Sequence, residues 1–279
     1  MGFDIPPSAL DSISSDSRKC IERLKAHQLE KVDISGRPSS RLAAVLVLLY
    51  EESGKLRVLL TTRSKSLRSH PGQTALPGGK VDDVDVDVIQ AAYREANEEV
   101  GLPLDSPHIH TVCLLRPYTS SSRLLVTPVV ALLTDTSILR NLTRCEDEVD
   151  RIFDHPLEAM LDPSLASEEP LVKKGSEDWL YKSDYHNFTD ILVPWIGNSG
   201  YRMHRFRSSA SPIKGLTAEI LIMTAAIAYD RLPVYEHYAP NQLTKFKDIL
   251  RYLDAEHAPN QSGTSTPIGI SAHDQVLTQ

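Results

Sequence analysis

The segment 77–103 constrains the fold more than any other part of the chain. In it, a Gly-Gly turn leads into a helix that carries three carboxylates within five positions. It reads PGGKVDDVDVDVIQAAYREANEEVGLP. Residues 87–100 contain neither Gly nor Pro, and Gly101 with a proline two positions later is a typical helix stop. Asp85 and Asp87 are both suitable N-cap residues. The pattern therefore predicts a helix over 87–100.

This predicted helix has an acidic face and a separate apolar face. At about 100° per residue, Glu95, Glu98 and Glu99 fall within roughly 100° of one another. The apolar stripe is offset from them by about 120° and consists of Ile89, Ala92, Tyr93, Ala96 and Val100. Arg94 is spaced to pair with Glu98 at i,i+4.

A solvated acidic face is the simplest interpretation of three such carboxylates. Two features instead favour a cation-binding site. Like charges at these spacings destabilise a helix unless a cation lies among them. The preceding glycines also let a ligand approach the backbone closely, and Mg²⁺ prefers surroundings made of oxygen atoms and substrate phosphates.

The same segment resembles the Nudix box, G-x5-E-x7-R-E-U-x-E-E-x-G-U, in which U is a bulky aliphatic residue. The residues that match it are Gly79, Arg94, Glu95, Glu98, Glu99, Gly101 and Leu102. Two positions depart from it. Asp85 stands in place of the first Glu, with eight residues rather than seven before Arg94, and Ala96 is small for position U.

The resemblance implies a role for each matching residue. Glu95, Glu98 and Glu99, with the carbonyl of Gly79, would hold Mg²⁺ or Mn²⁺. Arg94 would orient these glutamates rather than touch the substrate. Asp85, at the position of the first Glu, would support the loop.

A second motif lies just upstream, where residues 59–79 read LLTTRSKSLRSHPGQTALPGG. It resembles the pattern L-L-T-x-R-[SA]-x3-R-x3-G-x3-F-P-G-G of the coenzyme A diphosphatase branch of the Nudix family, and only Leu76 departs, standing where the pattern has Phe. That branch commonly carries the longer, Asp-bearing box. Weaker similarity continues through 126–133, 148–161 and 215–221, with Lys214 where the branch usually has Trp.

The resemblance implies hydrolysis of coenzyme A, or of an acyl or oxidised derivative, to 4′-phosphopantetheine and adenosine 3′,5′-bisphosphate. Arg63, Arg68 and His70 are the candidates for recognising the anionic substrate. A box glutamate, or Glu148 or Glu146 outside the box, would take the proton of the attacking water. Two alternatives stay open: a Nudix hydrolase of oxidised nucleoside triphosphates or other nucleoside diphosphate derivatives, and a non-catalytic Nudix module that senses a nucleotide.

Composition narrows the class of protein. The chain has 279 residues, of which 41% are hydrophobic, enough for a sizeable core. Its net charge of −7 argues against general nucleic-acid binding, although basic residues are frequent in and just before the motifs. The apolar run 42–50 is too short to span a membrane. The expected partner is a small-molecule substrate, with a homodimer as a further possibility. Among the basic residues, Arg57 and Lys65 are expected to be ordinary solubilising charges.

The N-terminal sequence has no apolar signal region, so secretion is not expected. The three cysteines show no C-x-x-C spacing and predict neither a zinc site nor disulfides. We therefore expect an intracellular protein of the peroxisome, mitochondrion or cytosol.

The chain is expected to have four parts: an N-terminal helical extension (1–34), the Nudix domain (35–235), a C-terminal helix (236–256) and a disordered tail (257–279). Helices are predicted at 8–29, 87–100, 155–161, 216–231 and 241–256. Strands are predicted at 42–50, 56–62, 111–118, 124–133, 179–185, 190–195 and 201–206. The fold class implied by the motifs is α+β, the Nudix fold, in which a mixed β-sheet is sandwiched between helices.

Overall fold

The computed structural model describes residues 3–28 and 36–257. Its helices are α1 (Pro7–Asp11), α2 (Ser15–Ala26), α3 (Val88–Val100), α4 (Gly215–Tyr229) and α5 (Phe246–His257). Its strands are β1 (Leu42–Glu52), β2 (Lys55–Arg63), β3 (Thr74–Ala75), β4 (Gly78–Lys80), β5 (Ile109–Leu114), β6 (Tyr118–Thr119), β7 (Leu125–Leu133), β8 (Val149–Pro156), β9 (His186–Val193), β10 (Ser199–Phe206) and β11 (Ile213–Lys214). The predicted disordered tail lies outside the described residues from 258 onward.

Eight strands form the main sheet, with the order β3-β2-β1-β7-β5 along its central path. Three further strands pair with this path: β4 with β1, β6 with β7 and β8 with β2. The β1–β7 pair is parallel, and the other pairs of this sheet are antiparallel. The prediction of a mixed sheet in an α+β fold is therefore confirmed.

Alternate residues of β1 face two different hydrophobic cores, because successive side chains of a strand point to opposite faces. Val47 and Leu49 pack in the core that contains residues of α2 and α4. Leu46 and Leu48 pack in the other core, together with the alanines of α3. The sheet is thus sandwiched between α3 on one face and α2 with α4 on the other, as predicted.

A separate three-stranded sheet has the order β11-β10-β9. Residues of β10 alternate between buried and half-buried, while most of β9 is exposed at the edge. Helix α5 contributes Phe246 and Leu253 to a small third core with Leu125 and Trp195.

Several predicted elements are confirmed. They are β1, β2, β7, β10, the central helix α3 and the helix α4, each within a few residues of its predicted bounds. The predicted helix 8–29 is instead two helices separated by Ser12–Ser14, of which the second ends at Ala26. The C-terminal helix begins at Phe246 rather than at residue 241.

The predictions around residues 149–193 are wrong in two places. The expected helix 155–161 is the end of strand β8, followed by a short 3₁₀ turn at Leu157–Met160. Strand β8 forms because its backbone pairs with Arg57–Arg63 of β2, which outweighs the local helix propensity of its end. The expected strand 179–185 is an irregular loop, in which the buried Trp179 donates a hydrogen bond to the carbonyl of Ser183. The strand of this region is β9, which begins at His186.

No helix within residues 3–28 and 36–257 is long and apolar enough to cross a membrane.

Arg57 is not a solubilising surface charge, contrary to expectation. Its side chain is only 11% exposed and donates hydrogen bonds to Asp154 of the paired strand β8 and to Glu169. Burial opposes the charge of Arg57, but the bonds to Glu169 and Asp154 raise its pKa overall. Lys65 is 74% exposed and 3.9 Å from Glu177, as expected of a surface lysine.

Replacing Arg57 tests this ion-paired group. Arg57→Ala leaves two half-buried carboxylates without their cation, so we expect the free energy of unfolding to fall by about 3 kcal/mol. The measurement is the midpoint of urea unfolding. Lys65→Ala is the matched control and should change the stability by less than about 0.5 kcal/mol. Equal effects of the two variants would contradict the structural role of Arg57.

Candidate active site

The Gly-Gly turn brings strand β4 against both β1 and α3. Gly79 is paired with Ala44 on the face of the sheet that carries α3. A side chain at Gly78 would overlap the carbonyl of Ala44, and one at Gly79 would overlap the carboxylate of Glu95. Glycine at position 78 therefore permits the close approach of β4 to β1, and glycine at position 79 permits its close approach to α3.

Helix α3 begins and ends where the sequence predicts. Asp87 is the N-cap, and its carboxylate accepts hydrogen bonds from the backbone N–H groups of Ile89 and Gln90. Asp85, the other N-cap candidate, has a different role. At the far end Gly101 is left-handed, with φ 69°, and its N–H donates to the carbonyl of Asn97. This is a common helix C-cap.

Arg94 donates hydrogen bonds within the acidic cluster, which we define as Asp85, Glu95, Glu98 and Glu99. Its guanidinium donates two hydrogen bonds to Asp85, at 3.0 and 2.9 Å, and one to the carbonyl of Lys80 at 3.1 Å. It also donates to Glu95 at 3.1 Å and to Glu98 at 3.3 Å. The predicted i,i+4 pair of Arg94 and Glu98 is present. One side chain thus joins the loop, the end of β4 and the helix.

Asp85 has the geometry of a loop support. Its side chain is 1% exposed and accepts a further hydrogen bond from the backbone N–H of Asp82 at 2.8 Å. The hydrogen bonds from Arg94 hold the pKa of Asp85 below its ordinary value. Because its carboxylate is already occupied by Arg94, Asp85 is placed to fix the loop.

Glu99 is buried, although the sequence groups it with an exposed acidic face. It is 5% exposed, and its carboxylate accepts a hydrogen bond from the N–H of Gly78 at 3.3 Å. Burial raises its pKa from 4.5 to about 8; Arg63 opposes this shift and Glu95 and Glu148 add to it. The pKa of Glu95 is also raised by burial, with Arg94 opposing.

Glu148 lies near both buried box glutamates, since its charge contributes to the raised pKa of each. Backbone hydrogen bonds hold it there. Its carbonyl accepts from the N–H of Ser64, its N–H donates to Cys145, and the N–H of Cys145 donates to the carbonyl of Glu99. Glu146 instead forms an exposed ion pair with Arg144 at 3.3 Å. Of the two carboxylates considered outside the box, the structure brings Glu148 to the site.

The three predicted substrate-binding residues differ in their surroundings. Arg63 follows a register shift in the β2–β8 pair, and its charge acts on Glu99. The Nε of Arg63 is buried and has no hydrogen-bond partner among the described residues. Arg68 and His70 are exposed in the loop that follows, and their side chains make no hydrogen bond or ion pair with the described part of the chain. The charge of Arg63 therefore acts within the acidic cluster, whereas Arg68 and His70 make no hydrogen bond or ion pair with its carboxylates.

The donor set fits a hard divalent cation. Within residues 3–28 and 36–257, no three His, Cys, Asp or Glu side chains form a ready-made metal site. However, burial raises the pKa values of Glu95 and Glu99 because it disfavours their charged forms, and a bound divalent cation would favour those forms. Carboxylate oxygens beside an open backbone turn are the ligands that Mg²⁺ and Mn²⁺ take. Sequence reasoning missed the burial of Glu99 and its bond to Gly78, because both depend on how closely β4 approaches α3.

The buried Glu99 predicts a specific pH dependence of stability in the metal-free protein. Its pKa is higher in the folded than in the unfolded chain, so the folded chain binds more protons between pH 4.5 and about 8. Stability should therefore fall as pH rises through this window, by at most about 1.4 kcal/mol per pH unit. We expect Glu99→Gln to flatten this slope in urea unfolding with a chelator present. Glu98→Gln is the control, since that side chain is 55% exposed. An equal pH dependence of stability in the wild type, Glu99→Gln and Glu98→Gln would contradict the raised pKa of Glu99.

Comparison with known proteins places the chain in a family. Residues 40–174 match the NUDIX domain model. The chain is 38% identical over 230 residues to Nudix hydrolase 22, chloroplastic, of Arabidopsis thaliana, covering 79% of this chain and 68% of that protein. It is 32% identical over 213 residues to peroxisomal coenzyme A diphosphatase NUDT7 of Mus musculus, covering 75% of this chain and 80% of that protein.

Among solved structures, a MutT/nudix family protein from Enterococcus faecalis is 17% identical, with a TM-score of 0.37, and the match covers 76% of this chain and 73% of that one. The two sequence relationships have higher identity and span the helix, the turn and the carboxylates described above. The chain belongs to the Nudix hydrolase family.

Proposed function

We propose that this protein is a metal-dependent diphosphatase that hydrolyses coenzyme A, or an acyl or oxidised derivative, to 4′-phosphopantetheine and adenosine 3′,5′-bisphosphate. The observation that carries the proposal is the convergence of Glu95, Glu99 and Glu148 near the Gly78–Gly79 turn. Arg94 joins Glu98 to Glu95, and the charge of Arg63 acts on Glu99. The choice of coenzyme A is supported by the motif at 59–79 and by the similarity to NUDT7, whose name gives that activity.

Glu95, Glu98 and Glu99, together with the carbonyl of Gly79, would hold Mg²⁺ or Mn²⁺. When bound, such a cation offsets phosphate charge and lowers the pKa of a bound water. Arg94 fixes the carboxylates of Glu95 and Glu98 through its hydrogen bonds to them. The N–H of Gly78 fixes that of Glu99.

In the proposed reaction, water attacks one phosphorus atom of the diphosphate and the bond from that phosphorus to the bridging oxygen breaks. We propose that Glu148 accepts the proton of the water on one of its carboxylate oxygens. It lies outside the Arg94 network, so no guanidinium hydrogen bond competes for that oxygen. A base held in position contributes to the rate in this way.

Substrate recognition is proposed to divide between two positions. Arg63 has a buried Nε without a hydrogen-bond partner among the described residues, and its charge acts on Glu99, so it suits an oxygen of the diphosphate. Arg68 and His70 lie on the exposed loop after Arg63 and are the residues that we propose bind the 3′-phosphate of coenzyme A.

We also propose an intracellular location in the peroxisome, mitochondrion or cytosol; the two relatives are described as chloroplastic and peroxisomal. The catalytic domain is proposed to span 35–235, with 1–34 as a helical extension. We also propose a homodimer, which light scattering would test. The proposed partner is a small-molecule substrate, without nucleic acid or membrane.

The catalytic assignment is tested by Glu98→Gln in a screen of coenzyme A, oxidised dGTP, ADP-ribose and NADH with Mg²⁺ or Mn²⁺. We expect the wild type to prefer coenzyme A. We expect Glu98→Gln to lower turnover by at least about a hundredfold, with little loss of stability, because the removed charge serves the cation and not the core. Glu146→Gln, at the exposed carboxylate paired with Arg144, is the matched control and should keep its activity. Near-normal turnover of Glu98→Gln would refute the metal role, and preference for an oxidised nucleotide would refute the coenzyme A assignment.

The roles of the two arginines are separated by comparing coenzyme A with its 3′-dephospho form. Arg–phosphate contacts are charge-assisted, so losing one should cost about tenfold in kcat/KM. We expect Arg68→Ala to lower kcat/KM for coenzyme A and to narrow its advantage over the dephospho substrate. Arg63→Ala should lower both substrates by the same factor, because the diphosphate is common to them. If Arg68→Ala also lowers both equally, its assignment to the 3′-phosphate is wrong.

A further inference from the structure

The segment 143–150, which carries the proposed base and which we call the base segment, is fastened to the end of helix α3. The last four carbonyls of an α-helix have no partner within the helix. The N–H of Thr143 donates to one of them, the carbonyl of Val100, at 3.1 Å. The N–H of Cys145 donates to another, the carbonyl of Glu99, at 2.9 Å. The base segment therefore starts directly on the helix that carries the box glutamates.

Within the base segment the chain turns back on itself. The N–H groups of Glu148 and Val149 both donate to the carbonyl of Cys145, at 3.0 and 2.8 Å. From the end of β2, the N–H of Ser64 donates to the carbonyl of Glu148 at 2.8 Å. The backbone of Glu148 is therefore held at both its N–H and its carbonyl.

A β-bulge follows the proposed base directly. Thr62 pairs with Arg151, whereas the next residue of β2, Arg63, pairs with Val149. Asp150 is therefore an extra residue that has no partner in β2. A bulge disrupts the ladder and changes the direction of the side chains beside it. Backbone carbonyls that leave a ladder need other donors, so the bulge must be stabilised from elsewhere.

Arg144 supplies donors at this bulge. Its Nη1 donates to the carbonyl of Val149 at 3.2 Å and to that of Asp150 at 3.0 Å. Its Nη2 donates to Glu146 at 3.3 Å in an exposed ion pair. A guanidinium presents its donors in a fixed planar geometry, so one side chain can hold both carbonyls at once. Arg144 therefore joins the start of the base segment to its end.

We propose that Arg144 is a positioning residue that fixes Glu148 beside Glu95 and Glu99, an inference that rests on the proposed function and deepens its account of the proton transfer. Arg144 acts through the backbone of the bulge and touches neither the substrate nor the water. Its side chain is 42% exposed, so packing in a core does not account for its contacts. A base must lie within hydrogen-bond reach of the water, and a displacement of about 1 Å can lower a rate by about a hundredfold.

The test is a double-mutant cycle of Arg144→Ala and Glu148→Gln in the full chain, measured as kcat and KM on the substrate that the wild type hydrolyses best. Glu148→Gln removes the base and should lower kcat by about a hundredfold. Arg144→Ala should lower kcat by about tenfold and leave KM unchanged, because the base is displaced while the substrate contacts remain. In the Glu148→Gln background, Arg144→Ala should have no further effect, since no base is left to position.

Two further variants and a measurement without substrate complete the test. Arg144→Lys should recover part of the lost kcat, because an ammonium can donate to one of the two carbonyls. Arg140→Ala is the matched control and should keep its activity, since that arginine is exposed and makes no hydrogen bond or ion pair with the described part of the chain. In Arg144→Ala, the amide hydrogens of Glu148 and Val149 should exchange about tenfold faster, with those of α3 unchanged.

The outcomes separate this inference from the proposed function. An equal loss of kcat on Arg144→Ala in both backgrounds overturns the inference and leaves the function standing, as does a rise in KM alone or unchanged amide exchange in the base segment. Normal turnover of Glu148→Gln refutes the proton acceptor of the proposed function and the inference with it. A wild type that prefers another diphosphate to coenzyme A refutes the proposed substrate alone, because the cycle is then measured on that other substrate.

Discussion

The candidate site depends on the position of one guanidinium. Three carboxylates within five residues of a helix repel one another, and a cation among them reduces that repulsion. Arg94 supplies that cation and at the same time bonds to Asp85 and to the carbonyl of Lys80. The same contacts that lower the repulsion therefore join the loop and β4 to α3, so electrostatic compensation and the shape of the site have a common cause.

The main sheet has two faces, and strand pairing decides which of them each side chain occupies. In β4, Gly79 faces α3 and Lys80 faces the side of α4, because adjacent residues of a strand point to opposite faces. Charge is concentrated on the first side, near Glu95 and Glu99. The second side is a hydrophobic core that Val47 and Leu49 of β1 share with α2 and α4. Gly79 and the helix that carries the three glutamates therefore lie on the same side of the sheet.

Local signals in the sequence predicted the helix of the site, and non-local contacts explain the errors. Helix α3 carries its own N-cap, stop and apolar stripe, so its bounds were correct to one residue. Strand β8 carries no such signal, because it exists only through its pairing with β2, and its end was predicted as a helix. The burial of Glu99 has the same kind of cause. Angular position on the helix placed it with Glu95 and Glu98, whereas its exposure is decided by the turn at Gly78.

The balance of charge at the site links cation and substrate. Arg94 is fully engaged by Asp85, Glu95 and Glu98, which leaves Arg63 as the cation that acts on Glu99. Burial raises the pKa values of Glu95 and Glu99, because it disfavours the charged form of each carboxylate. A diphosphate adds more negative charge to the same place and is repelled until a divalent cation offsets both. Cation and substrate then stabilise each other's binding, since each brings the charge that the other lacks.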